Sequence, residues 1–246
     1  MSIAERVLRA AVSYHVDWVR RGGRIAQLIP LHVYRPPSRA EFKQVEYLAR
    51  ETERVGRLPL WEGYRSLQGY GRSSSNDRTP SQVRSDSRAG RCFAHLASAF
   101  ASRLVVEVGT AFGVSGMYWL LGLRGSGRLL TFDPNETWVQ VARRNLEAIG
   151  GSYQSVCGTF EDNLAMIDEP IDMAFLDAIH TEEHVSHQFE LVAERASPNA
   201  VILIDDVNFV GGEMRKCWNR LSMDSRVVGS VLLSGRVGIV ELGPAA

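Results

Sequence analysis

LVVEVGTAFGVSG, from Leu104 to Gly116, is the stretch on which the fold turns. LVVEV is a short apolar run with strand character, and the residues after it read as a turn and then a helix start. Glu107, Gly109 and Gly113 form the pattern E-x-G-x-x-x-G. Glycine permits the backbone angles of a sharp turn at a strand's carboxyl end and lets a ligand approach the main chain. The helix behind it turns unpaired N–H groups and a partial positive charge toward any anion there. The spacing is not the dinucleotide fingerprint G-x-G-x-x-G. Taken alone, the loop is equally well a tight strand–helix connection.

Downstream, the same rhythm repeats. GRLLTF (127–132), YQSVC (153–157), IDMAFL (171–176) and AVILI (200–204) are further strand candidates. Helical patterns lie between them, near 115–123, 136–149, 181–196 and 212–221. Apolar runs alternating with helices predict an α/β fold with a mostly parallel sheet covered on both faces. RVVGSVLL and GRVGIVEL follow, with Ser234 and Gly235 at the turn, which predicts a closing hairpin and an antiparallel last strand.

Upstream the pattern differs. Helices are expected near 2–21, with Ile3, Val7, Leu8, Val12 and Val16 among the apolar positions, and near 39–55. Gly69–Ser81, rich in Gly, Ser, Asn and Pro, is a linker or a lid that orders over a substrate. The expected organisation is therefore an N-terminal helical cap with a mobile loop over 1–81 and a ligand-binding domain over 82–246.

Charge and cysteine content narrow the function. Lys plus Arg and Asp plus Glu both total 28, so the net charge is zero. A protein that grips a phosphate backbone carries a basic excess, so no nucleic-acid partner is expected, although a local basic patch is compatible with the count. Cys92, Cys157 and Cys217 are odd in number and lack C-x-x-C spacing. Neither disulfides nor a cysteine metal site is expected, and a reducing cytoplasm fits. No apolar run reaches the roughly 20 residues that span a bilayer, so no membrane partner is expected. A small-molecule partner remains, with self-association into a homodimer left open.

Acidic residues mark the strand ends. Asp133 closes the second strand, where a carboxylate can accept both hydroxyls of a ribose; an Asp before Pro134 can also cap the next helix. In CGTFEDNL, Phe160 offers a ring for a purine and Glu161 a group for its polar edge. Asp177 follows the fourth strand, and Asp205 and Asp206 follow the fifth. Three carboxylates on one edge need charge compensation, which a hard cation such as Mg²⁺ would supply. In the other reading, Asp205 and Asp206 cap the following loop. His180, three residues beyond Asp177, has the ordinary pKa of a general base, or else is a solvated loop histidine. His184 and His187 read as a helix face.

Together, VVEVGTAFGVSG, LLTFDPN, GTFEDNL, FLDAIH and LIDDVN resemble the class I S-adenosylmethionine-dependent methyltransferases. The likeness runs over about 82–242 and is nearest the metal-dependent O-methyltransferases of catechol and caffeoyl-CoA type and of macrolide sugars. The resemblance implies a Rossmann-like seven-stranded sheet, order 3-2-1-4-5-7-6. It implies a small-molecule O-methyltransferase using S-adenosylmethionine and Mg²⁺; the alternatives are a metal-independent N- or O-methyltransferase and a non-catalytic binding protein. Carried over by residue, Glu107, Gly109, Thr110 and Gly113 form the methionine-side loop and Ser115 holds the cofactor carboxylate. Asp133 takes the ribose, Phe160 and Glu161 the adenine, and Asp177 also touches the cofactor. Asp177, Asp205 and Asp206 are the metal ligands, and His180 is the base. Asp206 stands where the catechol type has Asn, and His180 where it has Lys; the D-x-x-H arrangement is more similar to the sugar-modifying relatives.

Overall fold

A computed structural model describes residues 13–65, 77–177 and 179–244. Its strands are β1 (Tyr14–Arg20), β2 (Val33–Tyr34), β3 (Leu58–Pro59), β4 (Asp77–Arg78), β5 (Leu104–Val108) and β6 (Arg128–Asp133). They continue with β7 (Ser152–Cys157), β8 (Ile171–Leu176), β9 (Ala196–Ile204), β10 (Val227–Leu233) and β11 (Val237–Leu242). The helices of two turns or more are α1 (Phe42–Thr52), α2 (Ser87–Ala99), α3 (Val114–Leu123), α4 (Glu136–Ile149), α5 (Glu182–Ala193) and α6 (Glu213–Leu221). The chain divides into two compact units, one of Met1–Pro37, Leu104–Val106 and Ile167–Ala246, the other of Ser38–Arg103 and Glu107–Met166. The division does not follow the expected boundary at 81/82.

In the first unit the strand order is β2-β1-β10-β11-β9-β8, with the start of β5 next to β8. β8 and β9 run parallel, pairing Met173 with Val201 and Leu176 with Ile204. Their uninterrupted apolar sequences follow from burial on both faces, since nearly every residue from Met173 to Leu176 and from Ala200 to Ile204 is enclosed. β11 is antiparallel to both β9 and β10. The expected hairpin forms, with Ser234 and Gly235 both at positive φ (49° and 72°) in its turn. α5 lays Val185, Phe189 and Val192 into the core.

The helix expected over 2–21 is corrected where the structure describes it. Tyr14–Arg20 is strand β1, antiparallel to β10. Tyr14 and Val16 are buried while His15 and Asp17 are exposed, a period of two that overrides the helical spacing read upstream. Residues 1–12 lie outside the described residues. The sheet thus carries β1 and β2 beyond the strands expected from sequence.

The second unit contains the end of β5, then β6 and β7, which run parallel from Arg128↔Ser152 to Asp133↔Cys157. α3 is buried on all sides except Leu121, and Trp119 stacks on Phe93 of α2 at 4.8 Å. Each such aromatic contributes about 1.5–3 kcal/mol through burial alone. Asp86 caps α2 by accepting the Ala89 N–H at 2.8 Å. α2 carries little sign in the sequence reading, although its Cys92, Phe93 and Leu96 fall on one buried face. The expected lid, Gly69–Ser81, lies outside the described residues up to Asn76; beyond it, β4 pairs with β3 and Pro80–Val83 makes one helical turn.

Candidate active site

In the second unit, the loop after β5 is shaped by backbone geometry. Gly109, Ala111 and Gly113 all have positive φ (101°, 43° and 77°). The Gly109 and Thr110 N–H groups both donate to the Phe132 carbonyl, at 2.9 and 3.1 Å, tying the loop to β6. At Gly113, glycine also answers a packing need: a Cβ there would lie 3.1 Å from Ala142 Cα on α4. Asn145 on α4 donates to the Phe112 carbonyl at 2.8 Å and to Thr52 at 2.9 Å, fixing the loop from behind. Glu107 is fully buried and accepts from Thr131 Oγ1 at 2.7 Å, and Thr110 hydrogen-bonds to the same hydroxyl. The Thr110 side chain therefore serves the interior rather than a ligand. Ser115 sits in the first turn of α3 and is 6% exposed.

Asp133 ends β6, as expected. Its Oδ2 accepts the Ala111 N–H and its Oδ1 the Asn135 N–H, both at 2.8 Å. Each oxygen keeps a lone pair, an acceptor set that fits the two hydroxyls of a vicinal diol. The carboxyl is 1% exposed, so a ribose reaching it displaces part of its cover. Burial pushes its pKa up to about 6, against the lowering effect of the two N–H groups. Phe160 is 1% exposed and packs edge-on against Phe132 at 5.5 Å, so its ring sits in the core. Glu161, which opens the helical turn after it, is part-exposed.

The same unit contains a surface cavity of about 490 Å³ that the sequence did not signal. Glu46, Arg50, Asp86, Val114 and Tyr118 are among its lining residues, so it adjoins the start of α3.

In the first unit, Asp177, His180, Asp205 and Asp206 meet at the ends of β8 and β9. The Asp205 N–H donates to the Leu176 carbonyl at 3.1 Å, extending the ladder to the strand end. His180 Nε2 lies 3.3 Å from Asp177 Oδ1 and 3.7 Å from Asp206 Oδ2. Its ring stacks on Phe209 at 4.9 Å and 22°. The histidine is thus held on three sides and is not a solvated loop residue. Burial, then the negative charge of Asp205, pushes the Asp177 carboxyl up to about 7, with His180 opposing. For His180, burial acts to lower the pKa, but the Asp177 hydrogen bond and the three carboxylates outweigh it and raise it above the ordinary value.

Arg236, which the sequence reading did not single out, completes the cluster. It follows the hairpin turn and donates to both Asp205 oxygens, Nε to Oδ1 at 3.0 Å and Nη2 to Oδ2 at 2.9 Å. Its Nε also lies 2.9 Å from Asp206 Oδ1. The expected Mg²⁺ site does not fit this arrangement. An octahedral cation needs free carboxylate lone pairs directed at one point, whereas here the fully buried Asp205 is committed to a guanidinium fork and Asp177 faces a histidine. Among the described residues, no group of His, Cys, Asp and Glu has metal-holding geometry. His184 accordingly belongs to the helix cap, its Nδ1 at 2.7 Å from Thr181 Oγ1, and His187 is exposed.

Residues 106–207, from β5 to the loop after β9, match a family described as a methyltransferase domain. Over that stretch, about two fifths of the chain, the sequence is similar to methyltransferase domains. It is similar to the catechol O-methyltransferase of Mycobacterium tuberculosis, with 32% identity over 126 residues, covering 50% of this chain and 56% of that one. An O-methyltransferase of Aspergillus hancockii is 26% identical over 141 residues, covering 55% and 56%. The chain spans about half the length of the curated relatives it matches. Among solved structures, the methyltransferase fold is shared with an O-methyltransferase from Bacillus cereus in complex with S-adenosylhomocysteine (TM-score 0.59, 19% identity, 84% of this chain and 92% of that one). It is also shared with an O-methyltransferase of tomaymycin synthesis from Streptomyces achromogenes, in complex with S-adenosylmethionine (TM-score 0.56, 21% identity, 66% and 82%). Among the described residues, no helix is long and apolar enough to cross a membrane.

Proposed function

We propose that the protein is an S-adenosylmethionine-dependent O-methyltransferase acting on a hydroxyl of a small molecule: a phenol, a sugar or a decorated natural product. The observation that carries this reading is the His180–Asp177 pair, 3.3 Å apart at a strand end within a methyltransferase domain. S-adenosylmethionine, when bound, supplies a methyl group activated by a sulfonium. Asp133 offers its two remaining lone pairs to the ribose hydroxyls. The loop from Gly109 to Gly113 gives close main-chain approach. The cavity beside Val114 has acids and arginines side by side in its wall, a lining suited to a zwitterionic amino-acid end.

His180 acts on the acceptor. Its Nε2 faces Asp177 and Asp206, so with the hydrogen on that nitrogen Nδ1 is the basic nitrogen of the neutral ring. Nδ1 would take the proton of the acceptor hydroxyl. Asp177 orients the ring and stabilises the imidazolium, as a carboxylate does for a catalytic histidine generally. No step requires a metal.

Two measurements test the reading. Isothermal titration with S-adenosylhomocysteine should give one binding event per chain. Release of S-adenosylhomocysteine from S-adenosylmethionine should depend on an added phenolic, sugar or natural-product hydroxyl. Absence of cofactor binding would end this reading.

A further inference from the structure

The carboxylate cluster already contains a cation, and it belongs to the chain. Resting on the reading above, we propose that Arg236 occupies the cation position of the Asp177–Asp205–Asp206 edge, so that this methyltransferase site works without a divalent metal.

Three observations carry the inference. First, the geometry is committed: the guanidinium donates to both Asp205 oxygens at 3.0 and 2.9 Å and its Nε also lies 2.9 Å from Asp206 Oδ1. A planar fork matched to a carboxylate is the arrangement arginine makes best, and a lysine could not reproduce it. Second, the placement is fixed by the fold. Arg236 begins the return limb of the hairpin, its own N–H donates to the Leu233 carbonyl at 3.0 Å, and its carbonyl accepts the Val207 N–H at 2.9 Å. Both ends of the peptide unit are therefore bonded, one across the hairpin turn and one to the loop that carries Asp206. Third, the Asp205 side chain has no solvent exposure. A metal entering the cluster would have to take Asp205 from the guanidinium, leaving a positive charge beside the incoming one with its partner lost. The charge that a magnesium ion would supply is thus replaced in part by Arg236.

The consequence concerns chemistry as well as charge. A metal lowers the pKa of an oxygen bound to it, and a guanidinium forms no such coordinate bond. Activation of the acceptor then falls to His180.

Manganese titration of the full-length protein tests this. S-adenosylhomocysteine binding is measured first, in EDTA; its absence overturns the methyltransferase reading itself. With S-adenosylhomocysteine saturating, free Mn²⁺ is followed by electron paramagnetic resonance. Wild type should take up no Mn²⁺ at this cluster below about millimolar. Arg236→Gln should bind one Mn²⁺ at least about tenfold more tightly, because the carboxylates are released. Adding Asp205→Asn should abolish that gain. If Arg236→Gln does not fold, the wild-type titration still decides, with Arg236→Lys as the second variant, which should gain affinity less. Wild-type uptake of one Mn²⁺ that Asp205→Asn abolishes would overturn the proposal. So would a folded Arg236→Gln that gains no affinity.

Discussion

The Asp133 carboxylate accepts the Ala111 N–H at 2.8 Å, so the residue proposed to hold the ribose also holds the glycine loop in shape. One side chain thereby serves ligand and scaffold, and the two roles separate by experiment. Asp133→Ala leaves the Ala111 and Asn135 N–H groups without their partner. It should lower stability by roughly 1–3 kcal/mol and abolish measurable S-adenosylhomocysteine binding. Urea unfolding and titration calorimetry on the same preparation check both. A destabilised protein with unchanged cofactor affinity would remove Asp133 from the binding site.

The pH dependence of stability has a definite sign at the same residue. Asp133 has a folded pKa of about 6, above its unfolded value near 3.8. Between those values the folded state holds the proton more firmly than the unfolded state. Its contribution is therefore fully present below about pH 4 and is lost as pH rises through about 6, by up to roughly 3 kcal/mol. In the ligand-free protein, wild type should lose stability relative to Asp133→Asn across this window. Parallel unfolding midpoints for the two proteins from pH 4 to 6 would contradict it.

His180→Ala should reduce kcat by about 10²–10⁴-fold and leave S-adenosylhomocysteine affinity nearly unchanged. Because the surrounding carboxylates raise the His180 pKa, the neutral base is lost at a higher pH than for an ordinary histidine. The wild-type rate should fall on the acid side with a midpoint above the usual imidazole value. Single-turnover rates across pH, on an identified acceptor, check this. A variant with wild-type rate and profile would leave His180 a structural residue.

Gly113→Ala combines a positive φ of 77° with a Cβ placed 3.1 Å from Ala142 Cα and 3.2 Å from its carbonyl oxygen. Neither α4 nor the loop yields cheaply, so a loss of roughly 1–3 kcal/mol is expected. Thermal unfolding measures it. An unshifted midpoint would show that α3 and α4 tolerate a wider spacing than the structure has.

How much of this was legible from sequence depended on the range of the interaction that decides each element. The strands from β5 to β11 were readable because burial on both faces demands unbroken apolar runs such as Val201–Ile204, and that demand is local. β1 was not: Val12, Val16 and their neighbours satisfy a helical period, and only pairing with a strand near the other end of the chain selects the extended form. The strand-end carboxylates were visible as residue types, since Asp177, Asp205 and Asp206 each follow an apolar run. Their company was not. Arg236 is separated from Asp205 by a helix and a strand, and an arginine after a Ser-Gly turn carries no mark of what its side chain will meet. The packing of Phe160 against Phe132 was hidden for the related reason that sequence shows a ring but not which way it faces.

The pairing of β1 with β10 sets an order of events in time. The His15 N–H donates to Ser234 Oγ at 3.0 Å across 219 residues. A contact of that sequence separation forms late and slowly, because the intervening loop must close first. On the ribosome, Tyr14–Arg20 emerges long before the strand that will receive it, and must wait with its apolar residues Tyr14 and Val16 uncovered. Deleting the strand at Val227–Leu233 should therefore leave the early segment permanently uncovered. Protease cleavage near Tyr14 in arrested nascent chains should persist until β10 has emerged, and then stop.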